Sequence, residues 1–398
     1  MAQPFHDLLA GYRLQEQELL AAVKRVLESG HYILGPEGAA FEAEFARYLG
    51  VEHVIGVANA TEALQLALLA LDVRPGDEVV IPALTAAPTA MAVLAVGAVP
   101  VLADIEPATF TMDPASLRAC LSERTRVVVP VHLYGQCADM DGLSAVLREA
   151  AAAGLTRAAG PSGAPPDGPA ATLPPAAASA GAAAPLPILE DAAQAHGARF
   201  RGRMAGSMGA VAAFSFYPTK NLGTYGDGGA LSTRDAALAA RLRRLRSYGQ
   251  VDGYDFSEPG INARLDELHA ALLRVRLAVL DRGNELRRRN AQRYRDSVRC
   301  ARVALPVERA TGHHVWHQFV VRCEERDALR AHLAAAGVET LIHYPRALHR
   351  MTALAGRARW PAVPAEAERA AAQILSLPIY PELPVEHQDA VIAALNAF

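Results

Sequence analysis

Cysteine is scarce in this sequence, and its few occurrences lie far apart. The 398 residues include four cysteines, and no two of them form a CxxC pair; they are Cys120, Cys137, Cys300 and Cys323. This spacing excludes a zinc knuckle, a dithiol redox motif and the disulfide-stapled scaffold of a very small domain. We expect reduced, structural thiols in a chain long enough for two or three domains.

Positive charge is not in excess either. Lysine and arginine together number 39 against 42 aspartates and glutamates, a formal net charge of −3. Such a chain has no overall positive field to hold a nucleic acid or an anionic membrane. The segment MAQPFHDLLAG also lacks the basic and apolar regions of a signal peptide. We therefore expect a globular protein of the cytoplasm.

Charged residues are missing from residues 79–103, a run long enough to cross a bilayer. Three prolines interrupt this run, at Pro82, Pro88 and Pro100. They divide it into a short strand, a helix of about three turns and a second strand. The run therefore predicts a buried βαβ unit and no membrane span.

The rest of the amino-terminal half alternates between strand and helix patterns. After an amphipathic helix over residues 15–29, the predicted strands are HVIGV, EVVIP, VPVLAD, RVVVPVHLYG, PLPILEDAA, VAAFSF and GGALST. This alternation predicts an α/β fold with a mainly parallel sheet. We expect a large domain over residues 1–247 and a smaller C-terminal α+β domain over 248–398. An Ala/Pro-rich insert, about 153–186, is predicted to be a surface excursion without a role in function.

Three segments contain the residues that indicate chemistry. In GVANATEALQLAL a strand leads into a helix that begins near Thr61, whose free N–H groups suit an anion or a simple N-cap. In EDAAQAHGA, Asp191 stands at the carboxyl end of a strand, where ligands bind in open α/β sheets. His196 in the same segment is interpreted as structural, since no second ligand stands at metal-site spacing.

The third segment, FSFYPTKNLGTYGDGGAL, places Lys220 in a turn with almost no other charge. Burial would depress the pKa of such a lysine, as an imine-forming amine requires. A lysine, a carboxylate and an anion site are what pyridoxal 5′-phosphate (PLP) needs for its aldehyde, its pyridine nitrogen and its phosphate. The three segments together therefore predict a PLP site.

Eight segments of the chain resemble the DegT/DnrJ/EryC1/StrS family of nucleotide-sugar aminotransferases. They are SGHYILGPEGAAFEAEFARYLGV, NATEALQLAL, PGDEVVIP, HLYGQCADMD, EDAAQAHGA, FSFYPTKNLGTYGDGGAL, GINARLDELHAALLRVRL and GVETLIHYP. They follow the family order and cover nearly the whole chain except the insert. The resemblance implies the aspartate-aminotransferase-like fold of type I PLP enzymes.

The resemblance also implies roles for individual residues. Lys220 matches the lysine that forms the internal aldimine and then moves a proton between substrate and cofactor. Asp191 matches the pyridine-nitrogen carboxylate, and Gln194 the side chain beside the ring. The implied phosphate contacts are Ser215, the backbone of Ala60 and Thr61, and Asn262 from the other subunit of a homodimer. His343 and Tyr344 match a segment near the substrate entrance, with a structural role as the alternative.

Two departures from the family pattern concern the cofactor. Ala60 replaces a usual glycine, and Ala86 stands where the family tends to place an aromatic residue that stacks on the ring. We expect the stacking contact to be lost unless Tyr134 or Phe216 supplies it. The histidines of HHVWHQF are interpreted as part of a strand with no metal, and the arginine-rich helices as solvated faces.

The resemblance implies transfer of an amino group from an amino acid, most often L-glutamate, to a keto carbon of a nucleotide-linked deoxy sugar. The segments RLDELHAALLRVRL and GVETLIHYP resemble family members that act on 3-keto sugars more closely than those that act on 4-keto sugars. Two alternatives stay open at this point. One is a PLP enzyme acting on another small ketone such as a cyclitol, and the other is a regulatory relative without turnover.

Overall fold

The computed structural model describes residues 4–155 and 185–398. The predicted insert therefore lies, except for its ends, outside the described residues. The helices are α1 (Leu8–Arg13), α2 (Glu16–Ser29), α3 (Pro36–Leu49), α4 (Ala60–Ala70), α5 (Ala87–Ala95), α6 (Pro114–Cys120), α7 (Met140–Ala152), α8 (Ala236–Leu245), α9 (Glu267–Leu277), α10 (Leu280–Ser297), α11 (Arg326–Ala335), α12 (Ala365–Gln373) and α13 (Val385–Ala397).

The strands are β1 (His53–Val57), β2 (Glu78–Pro82), β3 (Val99–Ala103), β4 (Thr125–Val128), β5 (Leu189–Asp191), β6 (Arg199–Phe200), β7 (Arg203–Met204), β8 (Val211–Ser215), β9 (Gly229–Thr233), β10 (Gln250–Asp252), β11 (Asp255–Phe256), β12 (Gly312–His313), β13 (Phe319–Arg322) and β14 (Ile374–Leu377).

Seven strands form the central sheet in the order β3-β2-β4-β5-β8-β9-β1. Two groups of paired strands, β3-β2-β4 and β5-β8-β9-β1, are joined by parallel bridges from Val128 to Ile188 and from Val131 to Asp191. Only β9 runs antiparallel to its neighbours in this sheet. The predicted mainly parallel sheet is therefore confirmed.

The apolar run of residues 79–103 forms β2, α5 and β3, as the prolines predict. Every residue of β2 is buried, and Pro88 stands in the first turn of α5, where its missing N–H costs nothing. None of the helices in the described ranges is long and apolar enough to cross a membrane.

Helices cover both faces of the sheet. Val79 and Ile81 face the layer of α4, α5 and α8, whereas Val80 between them faces α6 and α7. At the other end of the sheet, Phe41 and Phe45 of α3 pack on Phe214 and Phe216. Alternate strand residues thus bury opposite faces, which explains the near-continuous apolar strands.

A second apolar cluster lies in the C-terminal part of the chain. Trp316, Tyr294 and Tyr380 pack there among α10, α11, α13 and the antiparallel pair β13-β14. Helix α9, which follows residue 247 in the chain, packs instead on α2 and α3. The division of the chain at residue 247 stays a prediction.

Two arginines of the runs predicted to be solvated are buried instead, and the first is Arg246, whose guanidinium donates to Glu42 and to the Gly56 carbonyl oxygen. Arg287 on α10 is buried, and its guanidinium donates to the carbonyl oxygen of Ile379 at 2.8 Å. The pattern of charged residues along α10 missed it because the helix is covered by the segments around residues 316 and 379. Arg287 therefore joins α10 to two neighbouring segments of the C-terminal part.

Candidate active site

Three strand ends that the sequence singles out meet at one edge of the sheet. Strands β1 and β8 both run antiparallel to β9, and β5 runs parallel to β8. The carboxyl ends of β1, β5 and β8 therefore point the same way. They bring together the N-terminus of α4, Asp191 and Ser215. This edge is where open α/β sheets hold their ligands.

The N-terminus of α4 forms one end of the site. The Asn59 side chain caps the helix by accepting the N–H of Glu62 at 2.9 Å, while the N–H groups of Ala60 and Thr61 have no acceptor within the helix. Strand β9 passes very close: a Cβ on Gly229 would lie 2.6 Å from the carbonyl carbon of Asn59. A glycine is needed for this approach.

Ser215 lies beside this helix end, because Ser215 pairs with Gly229 and Gly229 pairs with Val57 across the sheet. A hydroxyl, free N–H groups and a positive helix end make a site that suits a phosphate. The replacement of the usual glycine by Ala60 does not disturb it, since Ala60 is an ordinary first residue of α4.

Asp191 lies at the centre of the sheet edge and is 4% exposed. Its Oδ2 accepts from the Thr89 hydroxyl at 2.8 Å and its Oδ1 from the Ala193 N–H at 3.2 Å. Burial raises the pKa of Asp191, although Thr89 and the Lys220 charge oppose the shift. A buried carboxylate with few donors is suited to a further positive partner, such as a protonated pyridine nitrogen.

Lys220 stands in the turn after β8, which is closed by the Lys220 N–H donating to the Tyr217 carbonyl at 2.8 Å. Its amine makes no hydrogen bond with any residue in the described ranges. Burial lowers the pKa of Lys220 to about 8, while the Asp191 carboxylate opposes this shift. About a tenth of such an amine is unprotonated at neutral pH, which a nucleophile requires.

Gln194 links the sheet edge to the C-terminal part. Its Oε1 accepts from the Tyr134 N–H at 2.7 Å, and its Nε2 donates to the Tyr344 hydroxyl at 3.0 Å. The Tyr134 hydroxyl in turn donates to the carbonyl oxygen of His343. The structure therefore brings Gln194, His343 and Tyr344 into one hydrogen-bonded group.

The segment of Asn262 adjoins the start of α4, since the Ala263 carbonyl oxygen accepts the Ala58 N–H at 3.2 Å. Asn262 is exposed, and its backbone pairs with Ser247. It makes no hydrogen bond with the other predicted site residues in the part of the chain that the structure describes. The contribution of Asn262 to the site stays a prediction.

The structure excludes one of the two residues named as alternatives for ring stacking. Phe216 is fully buried against Phe41 and Phe45, on the face of β8 opposite to Ser215 and Asp191. The alternation of side chains along a strand excludes it from the site. Tyr134 remains beside Gln194, and its ring makes an edge-to-face contact with the ring of Phe110.

Two further residues near the site were not expected. Thr89 on α5 donates a hydrogen bond to Asp191. His317 Nδ1 lies 3.1 Å from Oδ1 of Asn221, the residue that follows Lys220. Nothing in the sequence near Thr89 indicates this contact, since 102 residues separate it from Asp191. The sequence did draw attention to His317 through the cluster HHVWHQF. Its interpretation as part of a strand did not predict the contact with Asn221.

The structure has the features of a PLP-dependent aminotransferase of the aspartate-aminotransferase-like fold. They are the sheet order, the lowered pKa of the Lys220 amine, the buried Asp191 and a helix end that suits a phosphate. The residues present fit this cofactor at each of its three polar positions. More specifically, the chain belongs to the DegT/DnrJ/EryC1/StrS aminotransferase family, whose model matches residues 13–165 and 175–396.

Relatives and solved structures agree with this assignment. The dTDP-3-amino-3,4,6-trideoxy-alpha-D-glucose transaminase of Streptomyces venezuelae is 46% identical over 96% of this chain and 92% of its own. The structure of S. venezuelae DesV in complex with a ketimine intermediate has a TM-score of 0.88 at 44% identity, covering 100% and 98% of the two chains. The expected family, fold and enzyme class are confirmed.

A third match concerns the cofactor. The structure of NtdA from Bacillus subtilis, with bound cofactor PMP, has a TM-score of 0.83 at 28% identity and covers 99% of this chain and 84% of that one. PMP is the amino form of PLP. The cofactor predicted from the three segments is thereby confirmed.

Proposed function

We propose that the protein transfers an amino group from an amino acid, most often L-glutamate, to a keto carbon of a nucleotide-linked deoxy sugar. The observation that carries this proposal is the Lys220 amine at the sheet edge. It has a lowered pKa, it makes no hydrogen bond within the described residues, and the buried Asp191 carboxylate acts on its charge. The sugar substrate is supported by the names of relatives, including the S. venezuelae transaminase. We favour carbon 3 of the sugar over carbon 4.

The proposed residue roles follow the geometry of the site. Bound PLP supplies an electron sink beside the substrate's nitrogen-bearing carbon. Lys220 would anchor the cofactor and, when released, its Nζ would move a proton between that carbon and the cofactor. Asp191 would hold the pyridine nitrogen protonated. Ser215 and the N–H groups of Ala60 and Thr61 would bind the phosphate.

Gln194 would be oriented beside the ring by its bonds to Tyr134 and Tyr344. We propose His343 and Tyr344 as substrate contacts. Burial, with the charge of Lys220, lowers the pKa of His343 to about 4, so its ring is neutral at physiological pH. Its Nδ1 lies 2.8 Å from the Ser376 hydroxyl. A neutral, anchored imidazole suits hydrogen bonding to a sugar hydroxyl.

A substrate panel tests the proposed acceptor. The PMP form of the enzyme is mixed with dTDP-linked 3-keto and 4-keto deoxy sugars and with a cyclitol ketone, and return of the cofactor to its PLP form is followed by absorbance. The proposal expects turnover with the 3-keto sugar, at least tenfold faster than with the others. Turnover of the cyclitol ketone alone would assign the alternative substrate class.

We also propose a homodimer that completes each site with Asn262 of the second copy. Asn262 is exposed and near a hairpin, β10-β11, that presents apolar side chains to solvent; Tyr254 on its tip is 98% exposed. Val251 and Phe256 on the same hairpin are also exposed. Such a surface suits burial against a second copy.

Subunit mixing tests the shared site. Lys220→Ala and Asn262→Ala subunits are each expected to be nearly inactive alone. After unfolding and refolding together in equal amounts, half of the dimers are hybrids with one site that holds both residues. Activity should then recover to about a quarter of the wild-type value. No recovery, with hybrids shown by mass spectrometry, would mean that both residues serve the same subunit's site.

A further inference from the structure

Phe5 lies against the ring of His343, one of the two proposed substrate contacts. The centroids of the two rings are 5.9 Å apart, and the ring planes are tilted by 38°. Phe5 is 9% exposed, yet it belongs to none of the apolar clusters found among residues 4–155 and 185–398. Its ring therefore covers a polar side chain of the site and is not part of the apolar core.

The backbone at Phe5 is anchored on the C-terminal part of the chain. Its N–H donates to Oε2 of Glu339 at 2.9 Å. The ring of the next residue, His6, stacks on Tyr380, with the centroids 5.4 Å apart and the planes inclined by 12°. Burial, the largest cause, lowers the pKa of His6 to about 3, so the His6 ring is neutral at physiological pH. This stack therefore does not change between pH 6 and pH 8.

The residues that follow lie beside the segment of Lys220. The Asp7 carboxylate caps the N-terminus of α1 by accepting two backbone N–H groups. At the other end of α1, the ring of Tyr12 meets that of Tyr225 edge to face, with the centroids 6.3 Å apart. Tyr225 stands five residues after Lys220. The N-terminal segment is thus held at both of its ends.

The contacts of the His343 ring leave one of its two nitrogens without a partner. Nδ1 lies 2.8 Å from the Ser376 hydroxyl, and the Tyr344 ring meets the imidazole edge to face, with the centroids 5.7 Å apart. The Tyr134 hydroxyl donates to the carbonyl oxygen of His343. In the described part of the chain, Nε2 has no hydrogen-bond partner. This nitrogen is the one that a ligand can use.

We propose that Phe5 is a positioning residue for the sugar substrate: its ring packs on the His343 imidazole and holds it in the orientation in which Nδ1 meets Ser376 and Nε2 is left for a sugar hydroxyl. The inference rests on the proposed substrate contact of His343. The bond to Glu339 keeps Phe5 in place. An aromatic ring suits this task, because it restrains the imidazole by packing and has no polar atom that would occupy Nε2.

The first test follows the titration of His343 in cofactor-free protein. Burial, with the charge of Lys220, lowers the pKa of His343 to about 4. Phe5→Ala lets water reach the imidazole, so this pKa should rise by about one unit, whereas Phe5→Tyr keeps the ring and should not raise it. NMR spectra of labelled histidine at pH 5 should show about a tenth of His343 protonated in the wild type and about half in Phe5→Ala. His343→Gln identifies the signal.

The second test uses the kinetics of amino transfer. Phe5→Ala should raise KM for the keto sugar about tenfold and leave kcat within about twofold, because the lost contact acts on substrate and transition state alike. The half-reaction with the amino donor should keep its rate. Tyr12→Leu is the matched control, since it removes a ring of the same segment that meets Tyr225. This variant should change neither the His343 pKa nor the sugar KM.

An unchanged His343 pKa or an unchanged sugar KM in folded Phe5→Ala, or changes of equal size in Tyr12→Leu, would overturn the proposal. If Phe5→Ala does not fold, the exposed Glu339 provides the test. Glu339→Ala releases the Phe5 N–H and should also raise the His343 pKa, whereas Glu339→Gln keeps an acceptor and should not. An unchanged pKa in Glu339→Ala would then overturn the proposal.

The NMR titration uses neither cofactor nor sugar, so the two proposals fail separately. A wild-type protein that transfers no amino group to any keto sugar would contradict the proposed function. The titration of His343 would still show whether Phe5 holds the imidazole.

Discussion

Two adjacent carboxylates of β5, Glu190 and Asp191, are both buried but face opposite sides of the sheet. Glu190 is saturated with donors: His132 Nε2 at 2.8 Å and the N–H groups of Gly206, Met208 and Gly209 at 2.6–2.8 Å. Asp191 has two donors. The first carboxylate holds a loop in place, and the second is left short of partners on the side that faces Lys220.

Their pKa shifts differ in the same way. Burial alone would raise the pKa of both groups. For Glu190 the hydrogen bonds of His132 and the backbone N–H groups outweigh burial, so its pKa is lowered. For Asp191 burial wins and its pKa is raised. One strand thus separates a structural carboxylate from one reserved for a ligand.

The largest effect is expected from replacing the ligand-facing carboxylate. Asp191→Asn removes the charge proposed to face the pyridine nitrogen, and kcat/KM should fall by about 10²- to 10³-fold. In the cofactor-free protein, however, the same change should raise the free energy of unfolding at pH 7, because it relieves a buried carboxylate whose pKa folding raises. Steady-state kinetics and urea denaturation check the two halves. Near-normal kcat/KM would contradict the proposed role.

Substitution of the neighbouring Glu190 should instead lower the stability and leave the activity of the folded protein nearly unchanged. Glu190→Gln breaks a buried, fully bonded group, and the free energy of unfolding should fall by about 3 kcal/mol. The folded fraction should keep kcat within a few-fold of the wild type. Urea denaturation with active-site titration separates the two effects. A loss of kcat as large as that of Asp191→Asn, at unchanged stability, would erase the distinction between the carboxylates.

The pH dependence of the free energy of unfolding gives a second test of the difference between Glu190 and Asp191. Because folding lowers the pKa of Glu190, its ionised form stabilises the protein above the unfolded pKa of about 4.3. This contribution is lost as the pH falls through the folded pKa. The stability difference between wild type and Glu190→Gln should therefore shrink in acid. A difference that does not shrink as the pH is lowered below the unfolded pKa of about 4.3 would mean that the charge of Glu190 contributes nothing.

A substitution at Gly229 tests the proposed phosphate site at the N-terminus of α4. Gly229→Ala places a Cβ against Asn59 and Ala60 at the N-terminus of α4. The displaced helix end should weaken PLP binding by about tenfold, or ~1.4 kcal/mol. Gly283→Ala is the control, since its nearest neighbour atom would be Pro381 Cγ at 3.5 Å. Equal PLP affinities in a fluorescence titration of the two variants would contradict the assignment.

The smallest effect concerns a donor to Asp191. Thr89→Val removes one hydrogen bond from a group that has few, and PLP affinity should change by about fivefold, or ~1 kcal/mol. Thr85→Val is matched to it, because Thr85 lies 3.3 Å from the Thr89 hydroxyl but does not reach the carboxylate. A larger effect from Thr85→Val than from Thr89→Val would place the support of Asp191 elsewhere.

The sequence predicted the sheet edge well for a physical reason. Strand patterns with known direction place their carboxyl ends together, so Asp191, Ser215 and the start of α4 could be assigned to one edge before the structure was known. Strand alternation also shows that Ser215 and Phe216 face opposite sides. Applying that rule would have removed Phe216 from the candidates for ring stacking.

Contacts between distant segments were beyond such rules. The support of Asp191 by Thr89 depends on how α5 packs on the sheet, and the position of His317 depends on the course of a loop between β12 and β13. Local patterns do not specify either. Asn262 is a third case, because its proposed partner lies in a second copy of the chain.

The central claim is that Lys220 holds PLP and then releases the cofactor, which accepts an amino group. The most direct measurement is the visible absorbance of the purified protein with PLP, before and after L-glutamate, for wild type and Lys220→Ala. The wild type should show the long-wavelength band of lysine-linked cofactor, and glutamate should convert it to the shorter-wavelength band of PMP. The variant should lack the first band. A wild-type protein without that band at saturating PLP would contradict the account.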